Sequence, residues 1–401
     1  MRYGSSEQNF SLGVLALTAL LIGEICFYRI ETMYLYLCLT GFGMLIGIVV
    51  FGLPSFHFKL KVNSFPLWLA LVFLMYMFYG LFRLNNSSFP WNTMFYRYFE
   101  CIGLYFLVNK IISTKVNTII KPFLYAGFFS MIYFFLMQRE EIILGTQRIG
   151  DALSGNVNTV GYNFGIISIF AVWWYCLEKK WYKFAFFGLT AAIMLITGSK
   201  KVLIILVIDL LLIFAYDRKK ASRWLKIGLA FAILGYLIFN VSYLYNIIGI
   251  RIESMIQTML YGSSATIFSN STDVRNEMIK EGFTIFLKRP LFGGGWNFFR
   301  ANTRFSQYNY SHNNYIELLC TFGLVGTILY YSKHVSNLIY SIKILRSKIN
   351  QQTQDMIFAL WLTILCLLLD WTAVTFSAQC MWYIPLIISS VLVTKMKEEI
   401  F

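Results

Sequence analysis

Twelve stretches, each roughly 20 residues long and almost free of charge, run through this 401-residue chain. They fall at about 10–28, 33–53, 65–82, 95–111, 120–137, 159–177, 183–198, 201–216, 225–244, 313–331, 356–373 and 379–394. That length of apolar helix crosses a bilayer. Hydrocarbon offers no partner for a free peptide group, so a crossing segment must bond its own backbone, as a helix does. The pattern predicts an all-α integral membrane protein with about 12 transmembrane helices, a single polytopic domain over 1–401. Composition agrees, with 58% of residues hydrophobic and 13% charged. The first stretch lacks a strongly basic leader and a small-residue cleavage site, so a permanent helix is expected there.

Several chemistries are disfavoured at once. The seven cysteines show no CxxC spacing and the three histidines lie far apart, so no metal site is predicted. There is no GxxxxGK[ST] loop to hold ATP phosphates, and no cofactor is expected. The net charge of +15 suits basic loops at an anionic lipid surface better than nucleic acid. Threading twelve spans alternately puts the lysine-rich loops on one side, among them DRKKASRWLK, EKKWYK and the loop with Lys343, Arg346 and Lys348. The positive-inside rule makes that side the cytoplasm. The other side then holds ten of the fourteen arginines but four of the twenty lysines. Arginine presents a planar fork that matches phosphate with paired N–H groups. An outer face rich in arginine suggests a phosphate-bearing ligand, although any one arginine could instead pair with Glu140, Asp151, Asp273 or Glu277.

Two outer segments are long. A first outer loop, 138–158, contains Arg148 and ends in Asn156 and Asn158; it has no apolar period of its own. A large outer loop, 245–312, contains Arg251, Arg275 and an amphipathic helix within DVRNEMIKEGFTIFLKRP. Asp273 can cap that helix and Pro290 marks its end. LFGGGWNFF follows, where three glycines permit a tight turn or a close approach to a ligand. A short outer hairpin, LITGSKKVLI, puts Ser199 and Lys200 at its tip.

The tenth stretch opens with SHNNY. Ser311 is the expected N-cap, with His312 in the first turn and Asn313 and Tyr315 beside it. Two roles fit His312 there: a general base or a cap residue. Gly323 and Gly326 fit helix packing.

HNNYIELLCTFGLVGTILYY resembles the signature of the O-antigen ligase and Wzy-type O-antigen and capsular polysaccharide polymerase superfamily, His-Asn-x-Tyr followed by Gly-Leu-x-Gly. Three further segments are similar in the same order: QRIGDALSGNVNTVGYN, TGSKK and VRNEMIKEGFTIFLKRPLFGGGWNFF. The hairpin departs from the family with Lys200 in place of the usual arginine. The resemblance implies glycosyl transfer on the outer face of a bacterial plasma membrane, from an undecaprenyl-diphosphate-linked oligosaccharide and without metal. It implies His312 as the base on the acceptor hydroxyl, and Arg148 and Arg275 on the leaving diphosphate. Lys200, Asn313, Tyr315, Asn158 and Arg251 complete the expected substrate-binding set. Trp296, Phe298, Phe299, Tyr308 and Tyr310 fit either sugar stacking or an interfacial belt. Repeat-unit polymerase is the first reading, ligase the second. A lipid-linked oligosaccharide flippase would place its charges mid-span, where only Asp209 looks deep. A separate flippase and a chain-length regulator are expected partners, together with the lipid bilayer.

Overall fold

The computed structural model describes residues 3–28, 30–51, 64–81, 90–114, 116–144, 149–150, 156–216, 222–250, 252–253, 256–257, 270–306, 310–346, 353–371, 381 and 383–400. Among these residues the regular structure is entirely helical. Each predicted stretch overlaps a helix. Among the described residues five helices are long and apolar enough to cross a membrane: Met33–Phe51, Val116–Met137, Val157–Glu178, Asn314–Arg346 and Gln354–Trp371. A bent pair, Ala232–Asn240 and Ser242–Gly249, makes six if it forms one span. Large apolar side chains stay on the outside of these and neighbouring helices, including Val49, Leu74, Phe128, Leu136 and Ile328. Such an exterior suits lipid and would associate in water.

The chain divides into two units: Met1–Ser55 with Phe106–Gly262, and Phe56–Tyr105 with Ser263–Phe401. In the first, Val157–Glu178 is the central helix, almost wholly buried from Val160 to Trp173. Phe170 stacks on Phe123 at 3.6 Å and Trp173 is fully enclosed. Two polar pairs join helices inside this apolar unit. Tyr36 donates to Glu24 at 2.8 Å, and Ser168 donates to Asp209 at 2.6 Å. A carboxyl deep in such an interior is expensive unless bonded, which accounts for Ser168 opposite Asp209.

Both long loops carry helical structure near their starts. Residues 138–158 do carry a helix, Arg139–Leu144. Gln138 precedes it and accepts the Gly150 N–H on Oε1 at 2.8 Å, an anchor that sequence periodicity does not report. The large loop likewise begins in helical structure. The chain is helical through Ser242–Leu244 and then forms a π-turn over Tyr245–Gly249, bent 86° from the preceding helix.

The second unit is built on Asn314–Arg346, a helix interrupted at Gly323 (φ 67°, ψ −167°). An interruption leaves carbonyls and N–H groups unbonded on either side. Here the glycine run answers them. Gly294 and Gly295 N–H donate to the Cys320 and Thr321 carbonyls at 2.9 and 3.0 Å. Leu324 and Val325 N–H donate back to the Pro290 and Leu291 carbonyls at 2.9 and 3.1 Å. The two backbones lie so close that a Cβ on Gly293 would strike the Thr321 carbonyl, and one on Gly323 the Leu291 carbonyl. The three glycines thus serve backbone docking, and Gly323 is a break in the helix, not a helix-packing residue.

Candidate functional site

The helix Asn270–Leu287 lies along the first half of Asn314–Arg346. Met278, Ile285, Phe286, Phe298, Phe299, Ile316 and Cys320 form one buried cluster. Cys320 Sγ donates to the Gly282 carbonyl at 3.2 Å, and Gly282 leaves room for Ile316. Gly282 meets Ile316, while Pro290 and Leu291 meet the break at 324–325, so the two segments run parallel. Arg275, two turns before Gly282, therefore comes to the same end as His312. The helix starts at Asn270, three residues before Asp273.

His312 is not in a helix. The cap is Asn313, whose Oδ1 accepts the Ile316 N–H at 3.2 Å, and the helix begins at Asn314. The expected Ser311 cap and first-turn histidine are thus replaced by a short turn in which His312 takes φ 54°. This left-handed conformation is uncommon for a residue with a side chain. It turns the half-buried imidazole off the helix axis, with its ring centroid 4.4 Å from that of Tyr310. Burial pushes the Tyr310 phenol above its usual range, the Arg275 charge pulls it down, and Glu317 pushes it up. Tyr310 therefore shares one neighbourhood with His312, Arg275 and Glu317.

The charges differ in their partners. Arg304 binds Glu277 at 2.9 Å and Glu281 at 3.3 Å, and Lys280 binds Glu277 at 3.0 Å. Arg97 binds Glu100 at 2.9 Å. Arg139 lies 3.9 Å from Glu140. These follow the local-pairing alternative. Among the described residues Arg275 forms no ion pair, although it shares a helix with Glu277 and Glu281.

Tyr315 and Asn313 have structural partners. The Tyr315 hydroxyl donates to the Leu367 carbonyl at 3.0 Å, and its ring stacks on Tyr331 at 4.8 Å. Asn313 Nδ2 reaches the Trp371 carbonyl at 3.5 Å. Sequence reading passed over Asn314, Tyr331 and Asp370 as a set. Asn314 donates to the Tyr331 hydroxyl at 3.3 Å, and both lie beside Asp370, which is buried. Their separation of 17 and 39 residues along the chain hides them from any local motif. Phe298 and Phe299 belong to the buried cluster, which removes both from sugar stacking.

The remaining predicted residues belong to the first unit. Asn158 sits in the first turn of Val157–Glu178, its N–H bonded to the side chain of the Asn156 cap at 2.9 Å. Lys200 opens Lys200–Tyr216, and its side chain is outside the described part. Ser199 beside it is buried, not an exposed tip. Arg148 and Arg251 lie outside the described residues.

The O-antigen ligase family model matches residues 184–331. That interval includes TGSKK, Arg275, the glycine run, His312 and Gly323. No curated protein matches the chain.

Proposed function

Because the O-antigen ligase family model matches residues 184–331, we propose that this multi-pass membrane protein is a repeat-unit polymerase of the O-antigen ligase and Wzy-type polymerase superfamily. It transfers an undecaprenyl-diphosphate-linked glycan onto a lipid-linked repeat unit, for capsule, exopolysaccharide or O-antigen, on the outer face of a bacterial plasma membrane. It spans that membrane with about twelve helices. The reading rests on one observation above the others: the out-of-helix His312 turn shares its neighbourhood with an arginine that has no acidic partner among the described residues.

The chemistry follows from these groups. The donor sugar already carries diphosphate at its anomeric carbon, so a leaving group is in place without ATP or metal. The acceptor hydroxyl gives its proton to the His312 ring as its oxygen bonds to that carbon. The carbon–oxygen bond to diphosphate breaks, and its electron pair leaves with undecaprenyl diphosphate. Arg275 stabilises the charge that develops there, because its paired N–H groups match phosphate oxygens. Arg148, Lys200, Asn158 and Arg251 are proposed for donor binding on the sequence argument alone. Asn313 and Tyr315 hold the helix end next to His312. AT-rich-type composition, heavy in Lys, Asn, Ile, Phe and Tyr, favours the polymerase over a ligase with a lipid A-core acceptor.

The test uses membranes supplied with purified lipid-linked repeat units. Wild type should build long chains. His312→Ala should leave single units, with the rate down by about 10²–10⁴. Arg275→Lys keeps the charge but loses the fork and should cost about ten- to a hundredfold. Near-normal polymer from His312→Ala at equal expression would remove the base from the mechanism. Transfer only to a lipid A-core acceptor would make the chain a ligase.

A further inference from the structure

His312 has a neighbour in sequence on each side, and both are bonded to one residue. The Ser311 N–H donates to Glu317 Oε2 at 2.8 Å. The Glu317 N–H donates to the Asn313 carbonyl at 3.0 Å. The Ser311 hydroxyl closes the turn by donating to the same Asn313 carbonyl at 2.8 Å. Ser311, Asn313 and Glu317 are all buried, at 0%, 2% and 7% exposure, so water does not compete for these bonds. Between them His312 holds its left-handed backbone. A residue with a side chain relaxes out of that region unless its surroundings over-determine it. Here they do: the turn is fixed at both ends by a rigid element, the first turn of Asn314–Arg346.

We infer that Glu317 is a positioning residue, a clamp that holds the 311–313 turn so that His312 aims at the acceptor hydroxyl. The role rests on the proposed function for its catalytic consequence, but the clamp itself is a matter of geometry. Glu317 is not a catalytic residue by this account. Its carboxylate is buried and turned to a backbone N–H. What it contributes is reach: a side chain long enough to extend from one helical turn back to the residue before the histidine. An amide of the same length offers the same acceptor oxygen. An aspartate keeps the charge but is one methylene too short.

Two conservative variants therefore separate a clamp from a charge, in the full-length protein reconstituted in lipid nanodiscs. Glu317→Gln should keep kcat within about threefold of wild type, because the Ser311 N–H retains its acceptor. Glu317→Asp should lower kcat by about ten- to a hundredfold, with KM for the lipid-linked repeat unit within about twofold, since a misaimed group costs rate and not binding. The second measurement does not depend on turnover. The chain has three histidines, His57, His312 and His334, so ring-labelled protein gives three imidazole signals, each assigned by its own His→Gln variant. The His312 signal should move in Glu317→Asp and stay in Glu317→Gln. The His334 signal, from the buried interior of the same unit, should stay in both and so certifies the fold. An active Asp variant beside an inactive Gln variant would show that charge is what matters and would overturn the clamp. So would two wild-type variants with an unmoved His312 signal. If His312→Ala itself turns over normally, the catalytic reading fails, and the His312 signal still decides whether Glu317 holds the turn.

Discussion

Each unit has a junction where glycine permits close approach, and the two junctions work differently. In the first unit, Gly161 and Gly165 lie on Val157–Glu178. A Cβ on Gly161 would come within 2.6 Å of Val202 Cγ2 and 2.9 Å of Thr197 Oγ1, and one on Gly165 within 2.7 Å of Ile205 Cδ1. The atoms in the way are side-chain tips, which can rotate or shift. In the second unit, a Cβ on Gly293 or Gly323 would meet main chain, with the Gly293 nitrogen 2.5 Å from the one on Gly323. Main chain held by four reciprocal hydrogen bonds has nowhere to go. The first junction sets a distance between two helices, as small residues do in membranes. The second fixes the end of the Asn270–Leu287 segment to the break in Asn314–Arg346, and with it the placement of Arg275 relative to His312.

The difference predicts unequal responses to a single methyl. Gly323→Ala is expected to be the most damaging. At φ 67° and ψ −167° it occupies a region open essentially to glycine alone. Strain and the loss of buried backbone hydrogen bonds together should cost about 3–5 kcal/mol. The readout is the fraction of monodisperse, folded protein after purification and its thermal midpoint in detergent. Polymer synthesis should fall with it even where some protein folds. A Gly323→Ala protein as stable as wild type would mean that the break is not held by this docking.

This junction also shows how far the sequence could be read. Helices were legible because apolar runs report their own length, and the amphipathic helix because its apolar stripe lies within eighteen residues. Arg275 and His312 were legible as site candidates from residue chemistry and the family signature. The docking was not. A glycine triplet at 293–295 and a glycine at 323 have no periodic relation, and backbone bonds between distant segments leave no side-chain pattern. The same holds for the cap. SHNNY offers Ser311, Asn313 and Asn314 as alternatives, and only the bonds to Ile316 and Glu317 select Asn313. Glu317 reads as one acid near a span end until Ser311 is seen bonded to it.

Gly161→Ala tests the other side of the comparison. Its helix is regular, so no backbone strain is added, and the new methyl must displace Val202 and Thr197 side chains. Overpacking of this kind costs about 1–3 kcal/mol. Combining Gly161→Ala with Val202→Ala should recover part of the loss, because the obstacle is a removable side chain. No substitution at Thr321 or Leu291 should rescue Gly293→Ala or Gly323→Ala, since the obstacles there are carbonyls. Rescue at the second junction, or its failure at the first, would collapse the distinction.

Gly188→Ala is the smallest expected effect and calibrates the others. Gly188 lies in Trp181–Ile196, in the same unit as Gly161, and is exposed, and no atom comes within 4 Å of a Cβ built there. Nothing needs to move. Alanine restricts the unfolded chain and suits a helix better than glycine, so stability should rise by up to about 1 kcal/mol. The thermal midpoint in detergent should hold or rise slightly, and polymer synthesis should not change. The sign is what matters. A fall would mean that the exposed face of Trp181–Ile196 is covered in the working protein, by a bound lipid or by a second polypeptide that approaches as closely as Val202 approaches Gly161. Repeating the measurement in detergent and in nanodiscs would tell these apart, since a lipid contact is lost in detergent. A rise in both would establish that Gly188 carries no packing role, which leaves the penalties at Gly161 and Gly323 to be read as consequences of what each one touches.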